Sequence, residues 1–417
     1  MKFGIFYEHQ LPRPWEPDSE HRLIRDALEQ VELADRLGFD YVWEVEHHFL
    51  EEYSHSSAPE VFLAACSQRT RRIRLGHGIV ALPYRYNHPF RVAERIANLD
   101  LVSDGRVEFG TGETSSAAEL DAFGVDRETK RAQWTEAIEA ITRMFVEEPF
   151  AGWEGRHFPS MPVRNVVPKP LQKPHPPLLV ACSRRETIHF AAEKGIGALS
   201  FAFIEPDEAR HWVEDYERTI ASEACVPAGF AVNAQLAITI PMMCHRDEAE
   251  AIERGLDGAH FFGYSLAHYY VFGTQRPGRT NIWDEFQRNR STFGFNREIA
   301  ATTGRPLGAI LRNGPVGALR GAIGTPVQVR ELLRGYEEVG IDQVIFVMQA
   351  GKNRHEHICE SLELFAAEVM PGFAERHDAF AKAKQERLAP AVEAALARRA
   401  PPRVAPEDAV IRAVMKA

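Results

Sequence analysis

The sequence has few cysteines, and their placement does not fit a cross-linked or zinc-bound scaffold. Five occur in 417 residues, and no two form a Cys-x-x-Cys pair. Disulfide-stapled secreted domains and zinc ribbons depend on closely spaced cysteines. Neither class is therefore expected, and a reducing cytoplasm is the predicted location.

The sequence also lacks long apolar runs and an excess of positive charge. No window approaches the roughly 20 apolar residues of a membrane-spanning helix. Residues 1–9 show no apolar segment followed by a cleavage site, so no signal peptide is expected. Lys and Arg number 49 against 59 Asp and Glu, a net charge of −10. Nucleic acid and anionic membranes are therefore not expected as partners.

Short apolar runs alternate with amphipathic segments along most of the chain, which is 45% hydrophobic. Strands are predicted at 2–7, 39–45, 73–82, 106–110, 178–182, 198–203, 230–241 and 343–348. Helices are predicted between them and after the last one, beginning near residues 19, 59, 88, 129, 186, 206, 247 and 355. Such alternation indicates βαβ units and a parallel sheet. Eight pairs predict a closed (β/α)8 TIM barrel over residues 1–371.

Three segments exceed a minimal barrel. Residues 147–177 and 263–324 are predicted as long insertions on the C-terminal face, where long ordered loops are usually lids or binding loops. The second is dense in aromatic residues between Tyr264 and Phe295, which could line an apolar substrate pocket, pack the loop or contact a second subunit. Residues 372–417 are predicted as a helical C-terminal extension with a surface or subunit-contact role.

Glu46-His47-His48-Phe49 follows the second predicted strand. Alternation along a strand places His47 and His48 on opposite faces, so that one can face the barrel mouth while the other packs behind it. The C-terminal ends of strands are where β/α barrels hold their chemistry. Histidines that only cap backbone groups would give the same pattern. A metal shared by the two is disfavoured, because they point apart and no other His/Asp set has metal-ligand spacing.

Further motifs follow in a fixed order along the chain. They are Lys2-Phe3-Gly4, 37–43 with 46–49, 75–83 with His88-Pro89, 103–110, Phe123-Gly124 with Arg131, 191–195, Gly324-Thr325-Pro326 and Gly340-Ile341-Asp342. Each motif alone is weak, but the ordered set over residues 1–370 is specific. With it, the sequence resembles the bacterial-luciferase-like flavin-dependent monooxygenases.

The resemblance implies a β/α barrel that uses reduced FMN and O2. A separate NAD(P)H:flavin reductase would supply the FMNH2, and a C4a-(hydro)peroxyflavin would oxygenate a small apolar organic substrate. His47 matches the family's histidine near the flavin ring, whereas His48 is expected to be structural and Glu46 to orient a histidine or pair with an arginine. A homodimer is expected. The alternatives are an F420-dependent oxidoreductase that transfers hydride and a non-catalytic partner subunit.

The resemblance also implies a cofactor site. Its expected members are Gly78, Ile79, Gly112, Glu113, Arg131, Cys182, Ser183, Arg184, Thr187, Ser200 and Phe201. Ser183, Arg184 and Thr187 stand where a strand meets a helix, and a helix N-terminus gathers free N–H groups that bind anions such as a flavin phosphate. Ordinary helix capping with solvated arginines would look the same, and Phe201 could equally belong to the barrel core.

Three details of that site are expected from the family pattern. Gly112 stands where luciferases carry a reactive cysteine, which excludes cysteine chemistry there, predicts more room over the flavin and argues against a light-emitting role. Glu113 replaces a family arginine, so one phosphate contact is expected to be missing. A non-proline cis peptide is expected between Gly78 and Ile79, although a glycine that eases strand curvature would also explain the residue.

Overall fold

The structure is a computed structural model that describes residues 1–201, 203–290, 292, 295 and 320–411. Its strands are β1 (Lys2–Tyr7), β2 (Tyr41–Glu44), β3 (Arg74–His77), β4 (Val80–Ala81), β5 (Val107–Gly112), β6 (Leu178–Cys182), β7 (Gly197–Ser200), β8 (Leu236–Cys244), β9 (Ala322–Gly324) and β10 (Gln343–Val347). Parallel pairing joins β1, β2, β3, β5, β6, β7, β8 and β10 in order. The ring closes because β10 pairs with both β8 and β1. The predicted (β/α)8 barrel is confirmed.

Helices surround the ring. They are α1 (Ser19–Leu37), α2 (Pro59–Arg69), α3 (Pro89–Val102), α4 (Ala117–Phe123), α5 (Lys130–Val146), α6 (Arg185–Glu193), α7 (Pro206–Ile220), α8 (Glu248–Ala267), α9 (Ile282–Asn289), α10 (Pro326–Glu338), α11 (His355–Glu368) and α12 (Met370–Arg398). Gly38 ends α1 in a left-handed conformation with φ of 95°, as expected of a C-terminal glycine. Neither α4 nor α10 was predicted, although Thr325 and Gln328 form a capping box at the start of α10.

The barrel interior is filled by large side chains rather than by solvent. Trp43 of β2 is completely buried. A Cβ at Gly76 of β3 would lie 2.2 Å from a carbon of the Trp43 indole, so only glycine leaves room for that ring. This packing fixes β2, which ends shortly before His47, and so contributes to the position of the histidine.

The first insertion does not lie where it was predicted. Residues 147–177 join a helix to the following strand, and β/α barrels place such connections at the N-terminal end of the barrel. Gln172 accordingly hydrogen-bonds to Asp100 and to the Val107 carbonyl at the start of β5. The tip of this insertion lies against the outside of the barrel, where the Phe158 ring stacks on the Tyr84 ring. The prediction failed because it took the segment for a βα connection.

The second insertion does reach the C-terminal face. α8 continues as a π-helical turn, His268–Phe272. Phe262, Leu266 and Tyr270 from this stretch line the large cavity at that end of the barrel. Most of residues 291–319, including Phe293 of the predicted aromatic set, lies outside the described residues.

The C-terminal helix α12 packs on its own barrel. The ammonium group of Lys384 lies 2.7 and 2.9 Å from the two carboxylate oxygens of Asp342, just before β10. After the helix, Arg403 hydrogen-bonds to Glu147 at the base of the first insertion. The extension therefore lies at the end of the barrel opposite the site. None of the helices in the described residues has the length and apolarity needed to cross a bilayer.

Candidate active site

The C-terminal ends of the strands open into a cavity of about 1280 Å³. This exceeds the roughly 300–1,000 Å³ of common ligand pockets, so a large ligand, or two, can enter. Eleven of the twelve predicted site residues line it, namely His47, Gly78, Ile79, Gly112, Glu113, Arg131, Cys182, Ser183, Arg184, Thr187 and Phe201. Ser200 does not; it is buried on β7 in register with Cys182.

His47 follows β2 and lies between two carboxylates. Its Nδ1 is 3.1 Å from Oε1 of Glu119, and its Nε2 is 3.7 Å from Oε2 of Glu8. Its side chain is 16% exposed. Burial acts to lower the pKa of His47, but the charges of Glu119 and Glu8 and the hydrogen bond that His47 donates to Glu119 outweigh it and raise that pKa to about 9. The imidazole is therefore protonated at neutral pH.

The neighbours of His47 in the sequence have structural roles. The His48 ring packs against the rings of Tyr86 and Phe123, away from the cavity. Glu46 accepts hydrogen bonds from the Asn87 amide and the Ala81 N–H, and it lies 3.5 Å from His48 Nε2. Glu46 thus anchors the next βα loop, and no arginine is among these partners.

Glu119 was not predicted from the sequence. It lies on α4, a helix of seven residues, and its side chain is fully buried. Besides His47, it accepts hydrogen bonds from the His48 N–H at 2.9 Å and the Thr114 hydroxyl at 2.8 Å. Burial would raise the pKa of Glu119, but the positive charge of His47 and the hydrogen bonds from His47 and from the His48 N–H lower it. Glu119 is therefore a carboxylate that holds the orientation of the His47 ring and keeps it protonated.

Glu8 was also missed, although it directly follows β1. The Tyr53 hydroxyl donates to its Oε1 at 2.8 Å. Burial raises the pKa of Glu8 to about 7, against the opposing effects of the His47 charge and of the hydroxyls of Tyr53 and Ser54. Position at the C-terminal end of the first strand was a usable signal, since that end faces the barrel mouth.

The three groups can hold and move a proton at the floor of the cavity. Near neutral pH, His47 is cationic, Glu119 anionic and Glu8 divided between its two forms. Groups that titrate near the working pH are suited to general acid–base catalysis. Nε2 is the imidazole atom that faces Glu8, and Nδ1 is held by Glu119. The proton that can be exchanged with a ligand is therefore the one on Nε2.

The far end of the cavity has the features of an anion site. Ser183 and Arg184 are exposed just before α6, and the N-terminus of this helix carries the partial positive charge that attracts anions. The Thr187 hydroxyl caps the start of the helix, because it accepts from the Arg184 N–H at 3.2 Å. Arg185 is paired with Asp215, outside this group. Helix capping is thus observed, and it leaves Ser183 and the Arg184 guanidinium available.

On the opposite wall of the cavity, Glu113 forms ion pairs with two basic side chains. Its carboxylate pairs with Lys130 at 3.1 Å and with Arg131. The Arg131 guanidinium also stacks on the Phe190 ring, 4.6 Å from its centre. Glu113 therefore lowers the positive charge that Arg131 presents to an anion at the start of α6.

Two expectations about the floor of the site are wrong. Cis peptides among the described residues precede prolines, so the bond between Gly78 and Ile79 is trans. The backbone here follows the sheet: the Gly78 N–H donates to the Glu44 carbonyl and so continues the pairing of β2 and β3. Gly112 does not leave extra room, because a Cβ there would lie 2.6 Å from Cδ1 of Ile79. The Ile79 side chain fills the space that a cysteine would need.

Cys182 and Phe201 line the cavity without supplying charge. Burial raises the pKa of the Cys182 thiol to about 12, so it stays neutral. The Phe201 ring lies 5.3 Å from the Phe6 ring, which means that it belongs to the barrel core and to the cavity wall at once. No group of His, Cys, Asp and Glu among the described residues is arranged to hold a metal ion.

The family model for luciferase-like monooxygenases matches residues 1–343. The chain belongs to the luciferase-like monooxygenase family. The oxygenase component of the flavin-dependent trigonelline monooxygenase of Acinetobacter baylyi is 25% identical over 90% of this chain and 96% of its own length. Limonene 1,2-monooxygenase of Rhodococcus erythropolis is 42% identical over 36% of this chain, which spans only 37% of that protein.

Three solved structures share the fold. Monooxygenase RslO1 from Streptomyces bottropensis superposes with a TM-score of 0.69 at 26% identity, covering 89% of this chain and 100% of that one. The oxygenating constituent of 3,6-diketocamphane monooxygenase from Pseudomonas putida, in complex with FMN, gives 0.64 at 20% identity, with 89% and 98% covered. F420-dependent tetrahydromethanopterin reductase from Methanopyrus kandleri gives 0.60 at 20%, with 89% and 99% covered. The diketocamphane monooxygenase and the F420-dependent reductase are similar to this chain in fold alone.

Proposed function

We propose that this protein is a monooxygenase that uses reduced FMN and O2 to oxygenate a small, mainly apolar organic substrate. A separate NAD(P)H:flavin reductase would supply the FMNH2, and the active form would be a cytoplasmic homodimer. The observation that carries the proposal is a single cavity that joins the protonated His47 to the anion site at the start of α6.

The residues present fit a flavin nucleotide. Ser183, Arg184 and the first N–H groups of α6 would hold the phosphate, with Arg131 across from them. Ile79 and Phe201 offer apolar surface between that end and His47, where a planar ring can lie. When bound, reduced flavin supplies the two electrons that let one atom of O2 enter the substrate while the other leaves as water.

The protein's own contribution is a positioned proton and an apolar wall beside it. His47 holds a proton on Nε2 that can be given to an oxygen atom in the cavity, and Glu119 keeps the ring oriented. Tyr53, Phe262 and Tyr270 form an apolar wall beside this atom. Water excluded by that wall cannot compete for the reactive group.

Equilibrium binding tests the cofactor directly. FMNH2, reduced F420 and reduced riboflavin are titrated anaerobically into the protein, and heat or fluorescence is recorded. We expect FMNH2 to bind at least about tenfold more tightly than reduced riboflavin, since a phosphate held by a helix N-terminus and a cation gains about 1.4 kcal/mol or more. 18O2 label in the product of a reductase-coupled reaction then tests oxygenation.

The two alternatives give different results in the same titrations. An F420-dependent reductase shares this fold, so tighter binding of reduced F420 would replace the proposal by hydride transfer. Failure to bind any flavin would indicate a non-catalytic partner subunit. The buried cluster of Glu8, His47 and Glu119 argues against that role, because titratable groups with shifted pKa values that face a cavity are typical of catalytic sites.

Glu113→Gln is expected to tighten FMN binding. Removing this carboxylate frees Arg131 and Lys130 to face the phosphate, and one partly exposed charge is worth about 1 kcal/mol, or roughly fivefold in Kd. Riboflavin, which has no phosphate, should bind as before. Titrations at low salt measure both ligands. The matched control is Glu128→Gln, which removes the same charge from an exposed residue outside the cavity. Weaker FMN binding, or equal gains for riboflavin, would contradict the assigned role of Glu113.

A further inference from the structure

One buried carboxylate oxygen in the cavity has no hydrogen-bond partner among the described residues. Glu8 is 3% exposed, and its Oε1 is taken by the Tyr53 hydroxyl. Its Oε2 has no hydrogen-bond partner among the described residues and lies beyond hydrogen-bond distance, at 3.7 Å, from His47 Nε2. A buried acceptor without a hydrogen bond is destabilising, and a ligand that donates to it removes that cost. Such a group at a cavity wall is a candidate ligand contact.

The surroundings of Glu8 in the cavity are aromatic and apolar. The Tyr53 ring lies 5.9 Å from the Phe262 ring, which in turn lies 5.8 Å from the Phe203 ring. Tyr270 closes the side next to His47, with the two ring centres 6.5 Å apart. All four rings line the cavity. Ring faces and edges arranged in this way favour a flat or ring-shaped apolar ligand.

We propose that Oε2 of Glu8 accepts a hydrogen bond from the substrate, and that the substrate is a compact ring compound with one hydroxyl group, of the phenol class. The assignment deepens the proposed function and rests on it for the reaction itself. The hydroxyl would lie between Glu8 and Nε2 of His47, which places the ring against Tyr53, Phe262 and Tyr270. A site built to bind a hydroxyl rejects an analogue that lacks the donor much more strongly than it rejects a change of one methylene.

The probes are 4-methylphenol and 4-methylanisole; in the second, a methyl group replaces the proton that the phenol oxygen can donate. Binding is measured by calorimetry at about pH 8, where Glu8 is ionised, with oxidised FMN at saturation. We expect the phenol to bind at least about tenfold more tightly than the ether to the native protein. In Glu8→Met the phenol should lose that advantage, while the affinity for the ether changes little. Glu8→Gln keeps the shape and one neutral acceptor, so an intermediate preference is expected.

Every other outcome overturns the inference. Equal affinity for the two probes, a phenol preference that survives in Glu8→Met, or no binding of either probe at millimolar concentration would each exclude an acceptor role toward substrate. FMN affinity in the two variants separates this from the proposed function. If Glu8→Gln weakens FMN itself, Glu8 serves the flavin ring and not the substrate. If FMN binds normally and only probe selectivity is absent, the cofactor assignment stands and the substrate class is wrong.

Discussion

Replacing His47 with glutamine is expected to lower turnover by about 10²–10⁴-fold, the usual contribution of a positioned acid or base. Glutamine can hydrogen-bond but cannot carry the proton that the native imidazole holds at Nε2. FMN binding should change little, because the anion site at the start of α6 lies at the other end of the cavity. The measurement is the rate of product formation in single-turnover reactions, together with the yield of product per reduced flavin oxidised and the amount of hydrogen peroxide released.

His48→Gln is the matched control for that experiment. The two histidines are adjacent, but His48 packs against Tyr86 and Phe123 outside the cavity. We expect this variant to lose some stability and to keep the native yield of product. Equal loss of product in the two variants would mean that the loop, and not the proton on His47, is what catalysis needs. An unchanged yield in His47→Gln would remove the histidine from the mechanism.

The barrel and one end of the site could be predicted because they depend on local patterns. Buried apolar runs bounded by helices specify parallel strands, and Gly38 marks the end of α1 where the periodicity stops. Once the strands are parallel, their C-terminal ends must converge. His47 after β2 and Ser183 after β6 are therefore brought to the same cavity by topology alone.

The electrostatic partners of His47 could not be predicted, because they depend on tertiary packing. Glu119 is 72 residues from His47 and lies on α4, which is too short to show a helical period. The Ile79 side chain that fills the space beside Gly112 has the same origin. The first insertion was misplaced for a different reason: its composition resembles a lid, and only its position between α5 and β6 shows which end of the barrel it joins.

Glu119→Gln is expected to lower the pKa of His47 and to destabilise the protein in a pH-dependent way. The folded-state pKa of about 9 lies above the ordinary value of 6.5. Protonation of His47 therefore stabilises the fold fully below pH 6.5, and this contribution is lost as pH rises through 9. Each tenfold change in proton affinity corresponds to about 1.4 kcal/mol. In the variant, Glu8 still raises the pKa of His47, so only part of the shift disappears. We therefore expect the free energy of unfolding to fall by roughly 2 kcal/mol near pH 6.5.

Urea unfolding at about pH 6.5 and about pH 10 measures that loss, and 13C NMR of the labelled imidazole follows the pKa of His47. The difference between native protein and variant should narrow at the higher pH, where the native imidazole has lost its proton. Glu20→Gln is the control, because Glu20 pairs with His55 at 2.9 Å while its own side chain is 75% exposed. Exposed pairs contribute at most about 1 kcal/mol. A Glu119→Gln deficit that is the same at both pH values would show that Glu119 stabilises α4 and the 46–49 loop through hydrogen bonds to Thr114 and the His48 N–H, without charging His47.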